Sequence, residues 1–154
     1  MNSKNTSHFF KKYPKIFGGK DKPITESLIP FGLECGNGWY WLIDQLCQSI
    51  QSHVDNIEES AKIRNSARLT GSVLGPPEET DRQVVAEQVK EKFGGLRFYV
   101  EKADDEVYGM IELAEHMSYS ICERCGSNNA SPNSDGWIRT LCPKCRKARE
   151  AGER

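Results

Sequence analysis

Two C-x-x-C pairs, Cys122 with Cys125 and Cys142 with Cys145, constrain this chain more than any other feature; sixteen residues lie between them. A two-residue spacer lets both thiolates of a pair reach one tetrahedral ion from a tight turn. Two such pairs at this separation match the ligand set of a four-thiolate zinc ribbon. Gly126 follows the first pair, where a chain folding back under the metal often needs positive φ. Pro143 lies inside the second pair and can fix φ in its turn. The competing reading is two disulfides. A four-cysteine site is coordinatively full and leaves no position for water, so the one Zn²⁺ expected here is structural rather than catalytic.

At 154 residues the chain can build one modest core, or a core plus a small metal-stapled lobe. A hydrophobic content of 37% and a charged content of 28% suit a soluble globular protein. The net charge of −1 gives no global pull toward nucleic acid or an anionic membrane. No apolar run approaches the ~18 residues of a membrane span. The first residues lack the apolar stretch of a signal peptide. With thiols in metal-binding use, this predicts a reducing cytoplasm. Charge is uneven: residues 1–25 carry six lysines against one aspartate, and residues 78–115 carry eleven acidic against five basic groups. Residues 122–154 carry seven basic against four acidic groups. Four thiolates on one Zn²⁺ add about −2 there, which leaves Arg139, Lys144, Arg146, Lys147 and Arg149 as a local basic patch.

The pattern predicts an α+β fold: a short hairpin packed by two long helices, with a third strand near 28–34 as an extension, and a C-terminal zinc ribbon. A short amphipathic helix is expected over 8–17, breaking near Pro14. Trp39, Leu42, Ile43, Leu46, Cys47, Ile50 and Val54 recur at helical spacing and predict a helix over about 38–58. Residues 60–82 lose that periodicity and read as an exposed loop. Leu96, Phe98 and Val100 alternate with polar neighbours as in a half-buried strand. Residues 84–93 fit a partner strand, joined across Gly94-Gly95, better than the helix that their Ala, Glu, Gln and Lys would also allow. Asp104-Asp105-Glu106 opens a last helix whose apolar stripe runs from Val107 through Met110, Ile111, Ala114 and Met117 to Ile121. That helix is expected to continue into Cys122. The organisation is then an α+β body over 1–121, rigidly joined to a ribbon and basic tail over 122–154.

Three blocks resemble a family of small zinc-ribbon-containing proteins of tailed bacteriophages and prophages. They are residues 31–47, from Phe31-Gly32-Leu33-Glu34-Cys35-Gly36-Asn37-Gly38-Trp39 to Cys47; residues 88–99, with Lys92-Phe93-Gly94-Gly95-Leu96 at their centre; and Ser118-Tyr119-Ser120-Ile121-Cys122-Glu123-Arg124-Cys125-Gly126 with Gly136-Trp137-Ile138-Arg139-Thr140-Leu141-Cys142. Lys12-Tyr13-Pro14-Lys15-Ile16-Phe17 is similar too. The resemblance brings no reaction, ligand or catalytic residue. It implies a viral accessory protein working in the bacterial host cytoplasm.

Lys90, Lys92, Arg97 and Tyr99 can present a basic hairpin to phosphates, with interleaved aromatics stacking on bases. The plainer reading makes the aromatics core and the cations a solvated face. Cys35, before a helix start, is a candidate nucleophile if a histidine (His8, His53 or His116) meets it; otherwise it is a small buried hydrophobe. Glu112, Glu115 and His116 share part of a helix without H-E-x-x-H spacing, so a solvated polar face is expected there. Trp39 belongs to the helix stripe. Trp41 points away from it, toward the N-terminal helix or a partner. Trp137 either packs the ribbon on the body or marks an interface. The leading functional reading is a non-enzymatic phage protein that engages a host protein or a defence-system component. A nucleic-acid binder using hairpin and tail is the alternative, and a small enzyme or nucleotide-signal binder around Glu34-Cys35-Gly36 is a third.

Overall fold

The computed structural model describes residues 1–134 and 136–152. The first helix, α1, spans Ser3–Lys12. Asn2 caps it, its side chain accepting the Asn5 N–H at 2.8 Å. It therefore begins five residues before the expected 8–17 segment. Pro14 ends it, and Ile16 and Phe17 reach the core from the turn that follows. A 3-10 turn over Asn37–Trp39 leads into α2, Tyr40–Leu69. Its buried stripe is Leu42, Ile43, Leu46, Cys47, Ile50 and Val54, as the spacing predicts.

α2 does not stop near 58. Its last stretch, residues 60–69, occupies the first part of the expected 60–82 loop, and the loop proper begins at Thr70. Only Ala61 is buried in this stretch, so no apolar period marked it. Good helix formers and a polar clasp hold it instead. Glu78 accepts from Arg64 and Arg68, and Asn65 exchanges two 2.8 Å bonds with the Glu78 backbone.

Strands β1, Val85–Lys92, and β2, Gly95–Glu101, pair antiparallel from Val85–Glu101 to Lys92–Gly95. The turn is Phe93-Gly94, both at positive φ (53° and 78°), so the reversal falls one residue earlier than Gly94-Gly95. A bulge between Ala86 and Gln88 lets Ala86 and Val89 both face the core at odd spacing. Residues 28–34 do not form a third strand. They run beside β1 with one bridge, Glu34 to Lys90, and Leu28 N donating to Glu87 O.

Helix α3, Asp105–Ser118, is capped by Asp104, whose carboxylate accepts the Val107 N–H. It packs on β2 and α2. It ends at Ser118 rather than entering Cys122. Ser118 is buried; its hydroxyl donates to Glu115 O and accepts the Leu96 N–H, and three i→i+3 turns lead on to Ile121. Leu42, Leu46, Ile50, Leu96, Phe98, Ile111 and Ala114 share one core, with Val100 and Ile121 at its margin. The C-terminal lobe holds β3, Ser131–Pro132, β4, Thr140–Leu141, and α4, Pro143–Glu150. Among the described residues, no helix is long and apolar enough to cross a membrane.

Candidate metal centre and the surfaces around it

Each cysteine pair sits on a turn that aims its thiols one way. At the first, Gly126 N donates to Cys122 O (2.8 Å) and Cys122 N to Ser127 O (2.7 Å); Gly126 takes a φ of 80°. At the second, Cys142 caps α4 and Arg146 N returns to Cys142 O at 2.9 Å. The β3–β4 ladder and the Glu123 N–Thr140 O bond of 3.0 Å hold the two turns together. All four sulfurs consequently lie within 4.8 Å of one another. The Cys125 and Cys142 sulfurs are 3.7 Å apart. A tetrahedron with ~2.3 Å metal–sulfur bonds has edges of ~3.8 Å, so the set fits one ion. A disulfide requires ~2.05 Å, and all four are free thiols. The backbone N–H of Cys145, at the start of α4, holds the Cys142 thiol down at about 7, while burial pushes the Cys145 thiol up to about 12, so without an ion the cluster ionises unevenly.

The lobe meets the body along a close seam. Gly38 N donates to Glu123 O at 2.7 Å, Gly36 N to Glu123 Oε1 at 2.9 Å, and Trp39 Nε1 to Ile121 O at 2.8 Å. A Cβ on Gly38 would sit 2.0 Å from Cys122 O, and one on Gly36 2.1 Å from Glu123 O. Glycine is required because backbone lies on backbone. On the other flank Thr140 Oγ1 donates to Gly94 O at 2.6 Å. The first cysteine turn is thus seated on Gly36-Asn37-Gly38, and β4 on the hairpin tip. Glu123 is buried in this seam. Burial pushes its carboxyl up, against the pull of Arg139, and its Oε2 has no hydrogen-bond partner among the described residues.

The predicted binding residues divide. Lys90 lies over the Tyr99 ring and Lys92 over the Phe93 ring, each 5.3 Å from the centroid. Arg97 is no free cation: it donates to Leu96 O and the Tyr119 hydroxyl, 3.5 Å from Glu115. Arg146 is also committed, to Ser131 O at 2.7 Å and Leu141 O at 3.3 Å. Lys144, Lys147 and Arg149 of α4 are exposed, as is Arg139. The five basic residues are therefore not one uniform patch. Trp137 does not pack the lobe on the body; it is 69% exposed. Cys35 is not poised as a nucleophile, since burial pushes its thiol up to about 12. His53 is engaged by Asp104 and Glu106. Glu115 accepts the Phe98 N–H, so part of the Glu112-Glu115-His116 face is structural rather than solvated.

Two surface features had no direct signal in the sequence. The first is an apolar groove between α2 and α3, where Trp41 and Leu113 are each 61% exposed beside Met110 and Met117. Met117, expected in the buried stripe, stands at its edge. Two large apolar residues lying off their helices' stripes, Trp41 and Leu113, were the available clue. The second is a cleft of ≈450 Å³ at the seam, lined by Arg124, Arg139 and Arg149 together with Gly36, Asn37 and Glu123. Fold and site define an α+β protein with a C-terminal four-cysteine centre able to hold a metal ion. In comparisons with protein-family models, with curated proteins and with solved structures, nothing matches this chain.

Proposed function

We propose that this chain is a phage-derived, zinc-binding accessory protein, non-enzymatic, which engages a protein of the bacterial host or its defence systems in the host cytoplasm. The observation that carries this reading is the groove of Trp41, Met110, Leu113 and Met117. A soluble chain of this size has little reason to present tryptophan, leucine and methionine together on one helix pair unless a partner covers them. A groove between two helices, lined by apolar side chains, suits an amphipathic helix with apolar anchors. Zinc is assigned on ligand chemistry, since four thiolates in tetrahedral spacing select it over hard cations. It staples the lobe and takes no part in a reaction.

Tagged protein should capture a partner from bacterial lysate that survives nuclease treatment. The double variant Trp41→Ala, Leu113→Ala should lose that partner, while Lys144→Gln keeps it. Capture that both variants retain would sink the groove. Elemental analysis should find one zinc per chain; none, with the four cysteines oxidised, would remove the metal assignment.

Nucleic-acid binding is the second reading, and one observation favours it. The lobe docks at the hairpin tip, which brings the Lys92-Phe93 turn beside the Trp137-Ile138-Arg139 segment, and Phe93 and Trp137 are 66% and 69% exposed. Aromatics flanked by cations can stack on unpaired bases. Affinity for single strands that falls with salt, and falls again in Phe93→Ala, would support it.

A further inference from the structure

The turn of the β1–β2 hairpin holds a residue that its geometry disfavours. Phe93 and Gly94 both take positive φ, 53° and 78°. A two-residue reversal of this kind favours Asn-Gly or Asp-Gly, because a bulky side chain at positive φ is strained. Burial does not offset the strain, since Phe93 is 66% exposed. A strained residue that packing does not explain points to function rather than to folding. Lys92 lies over this ring, and Lys90 lies over Tyr99 farther along the same outer face of the hairpin. Tyr99 keeps 40% of its surface exposed. Neither lysine forms an ion pair among the described residues. The nearby carboxylates are engaged elsewhere: Glu91 accepts the Gly94 N–H at 2.7 Å, and Glu34 accepts from Gln88 Nε2 at 3.0 Å. If the lysines served only to shield the rings, asparagine at position 93 would give the same turn with no ring to shield.

The lobe adds a third ring. Thr140 Oγ1 donates to Gly94 O, and a Cβ on Gly94 would lie 2.9 Å from Ile138 Cγ2. Phe93 and Trp137 are the chain neighbours of that contact, and Trp137 is 69% exposed. Building on the nucleic-acid reading above, we infer that Tyr99, Phe93 and Trp137 form one stacking track for a short single-stranded nucleic acid, with Lys90 and Lys92 holding its phosphates. Every base has a π-face to lay on such rings, so the track tolerates any sequence. A duplex hides those faces and is excluded. Each lysine can swing from its ring to a phosphate without breaking a salt bridge. Arg97 and Arg139 take no part, because Tyr119 and Glu115 hold the first and Glu123 draws on the second.

The test follows a labelled hexathymidylate binding to the full chain by fluorescence anisotropy, beside an abasic hexamer, the matching duplex and an acidic peptide. Saturable binding of the hexathymidylate that weakens with salt is expected, with the abasic strand and the duplex about tenfold weaker or more. Phe93→Ala, Tyr99→Ala and Trp137→Ala should each weaken it about tenfold. Lys90→Gln and Lys92→Gln should each flatten the salt slope by about 0.7. Trp41→Ala, in the apolar groove, should leave it unchanged. Phe93→Asn suits the turn, so it should weaken binding while holding or raising the urea midpoint. No binding of the hexathymidylate would remove the nucleic-acid reading and the track together. Binding lost in Phe93→Ala but unchanged in Tyr99→Ala or Trp137→Ala would keep that reading and sink the track. Equal affinity for the abasic strand or the acidic peptide would reduce the face to its charge and sink the track as well. A lowered urea midpoint in Phe93→Asn would make Phe93 a structural residue and overturn its role in stacking.

Discussion

The body and the lobe of this protein are held by different physics. The body buries a continuous cluster of 22 residues around Phe9, Trp39, Ile43, Ile50, Leu96 and Phe98. Among the described residues the lobe's buried cluster has four members, and three of them, Cys122, Cys142 and Cys145, belong to the four-cysteine cluster able to hold a metal ion. Burying one leucine, Leu141, contributes roughly 1.5–3 kcal/mol. Ordering some thirty residues costs more than about ten times that. The lobe's core is too small to order it, and an ion held by its four cysteines would supply what is missing, whereas the body has a continuous core of its own. The lesson is that residue number does not decide where a fold ends. The kind of interaction does, and the boundary is crossed by backbone contact at Gly36 and Gly38 rather than by a hydrophobic interface.

The comparison breaks most visibly on metal removal. Cys122→Ser, or a strong chelator, should erase the dispersed amide resonances of the lobe while those of α2 and the β1–β2 hairpin persist. Apparent binding free energies at structural four-ligand zinc sites are about 10–16 kcal/mol, which is ample to order a lobe that cannot order itself. Simultaneous collapse of body and lobe would mean that the two are one cooperative unit and that the distinction is wrong. The next largest effect belongs to the body. Leu46, in the second turn of α2 and 5% exposed, should cost about 2–5 kcal/mol on substitution by alanine, read from the urea midpoint. Metal content should be unchanged.

A smaller effect tests the seam itself. Gly38→Ala places a methyl 2.0 Å from the Cys122 carbonyl, a backbone atom that cannot rotate aside. Relieving it requires the lobe to lift, at about 1–3 kcal/mol. The metal should stay bound, because its four ligands are all in the lobe. The Gly38 and Trp39 indole N–H groups, bonded to Glu123 O and Ile121 O, should lose hydrogen-exchange protection. Unchanged protection would show that the seam is not a contact in solution.

Much of this architecture could be read from residue pattern, and the parts that could not share a cause. The four-cysteine cluster was legible because two C-x-x-C pairs carry the spacing that coordination of one ion would fix. The α2 and α3 stripes and β2 were legible because burial imposes a period. The length of α2 was not, since a polar clasp from Glu78, nine residues beyond the helix end, holds its last turns and leaves no period. The edge beside β1 looked like a strand, but residues 28–34 make scattered bonds rather than a ladder. The β1 bulge hid the alternation of Ala86 and Val89. The seam was invisible because it joins Gly36-Asn37-Gly38 to residues more than eighty positions away. Glycine in a sequence says that something comes close without saying what. The same holds for the cleft, whose three arginines are neighbours only after the lobe has docked.

The smallest effect lies inside the body and shows where its core-driven stability stops. The end of α2 resembles the lobe more than the rest of its own helix: past Ala61 it has no core contact and depends on one polar centre. The Arg64 side chain, and then Arg68, hold the Glu78 carboxyl at about 2, below its ordinary 4.5. A carboxyl depressed in the folded state stabilises the fold above its unfolded pKa and loses that contribution as pH falls toward the folded value. The window here runs from about 4.5 down to about 2. Glu78 and Arg64 are both solvent-accessible, so the contribution is screened and local rather than global. Acidification through this window should raise amide exchange at Ala67, Arg68 and Leu69 while Ile43 to Ile50 stay protected. Glu78→Gln should produce the same fraying at neutral pH, and high salt should reproduce part of it. Uniform exchange along all of α2 in that pH range would show that the helix is one cooperative element and that the clasp adds nothing to its length.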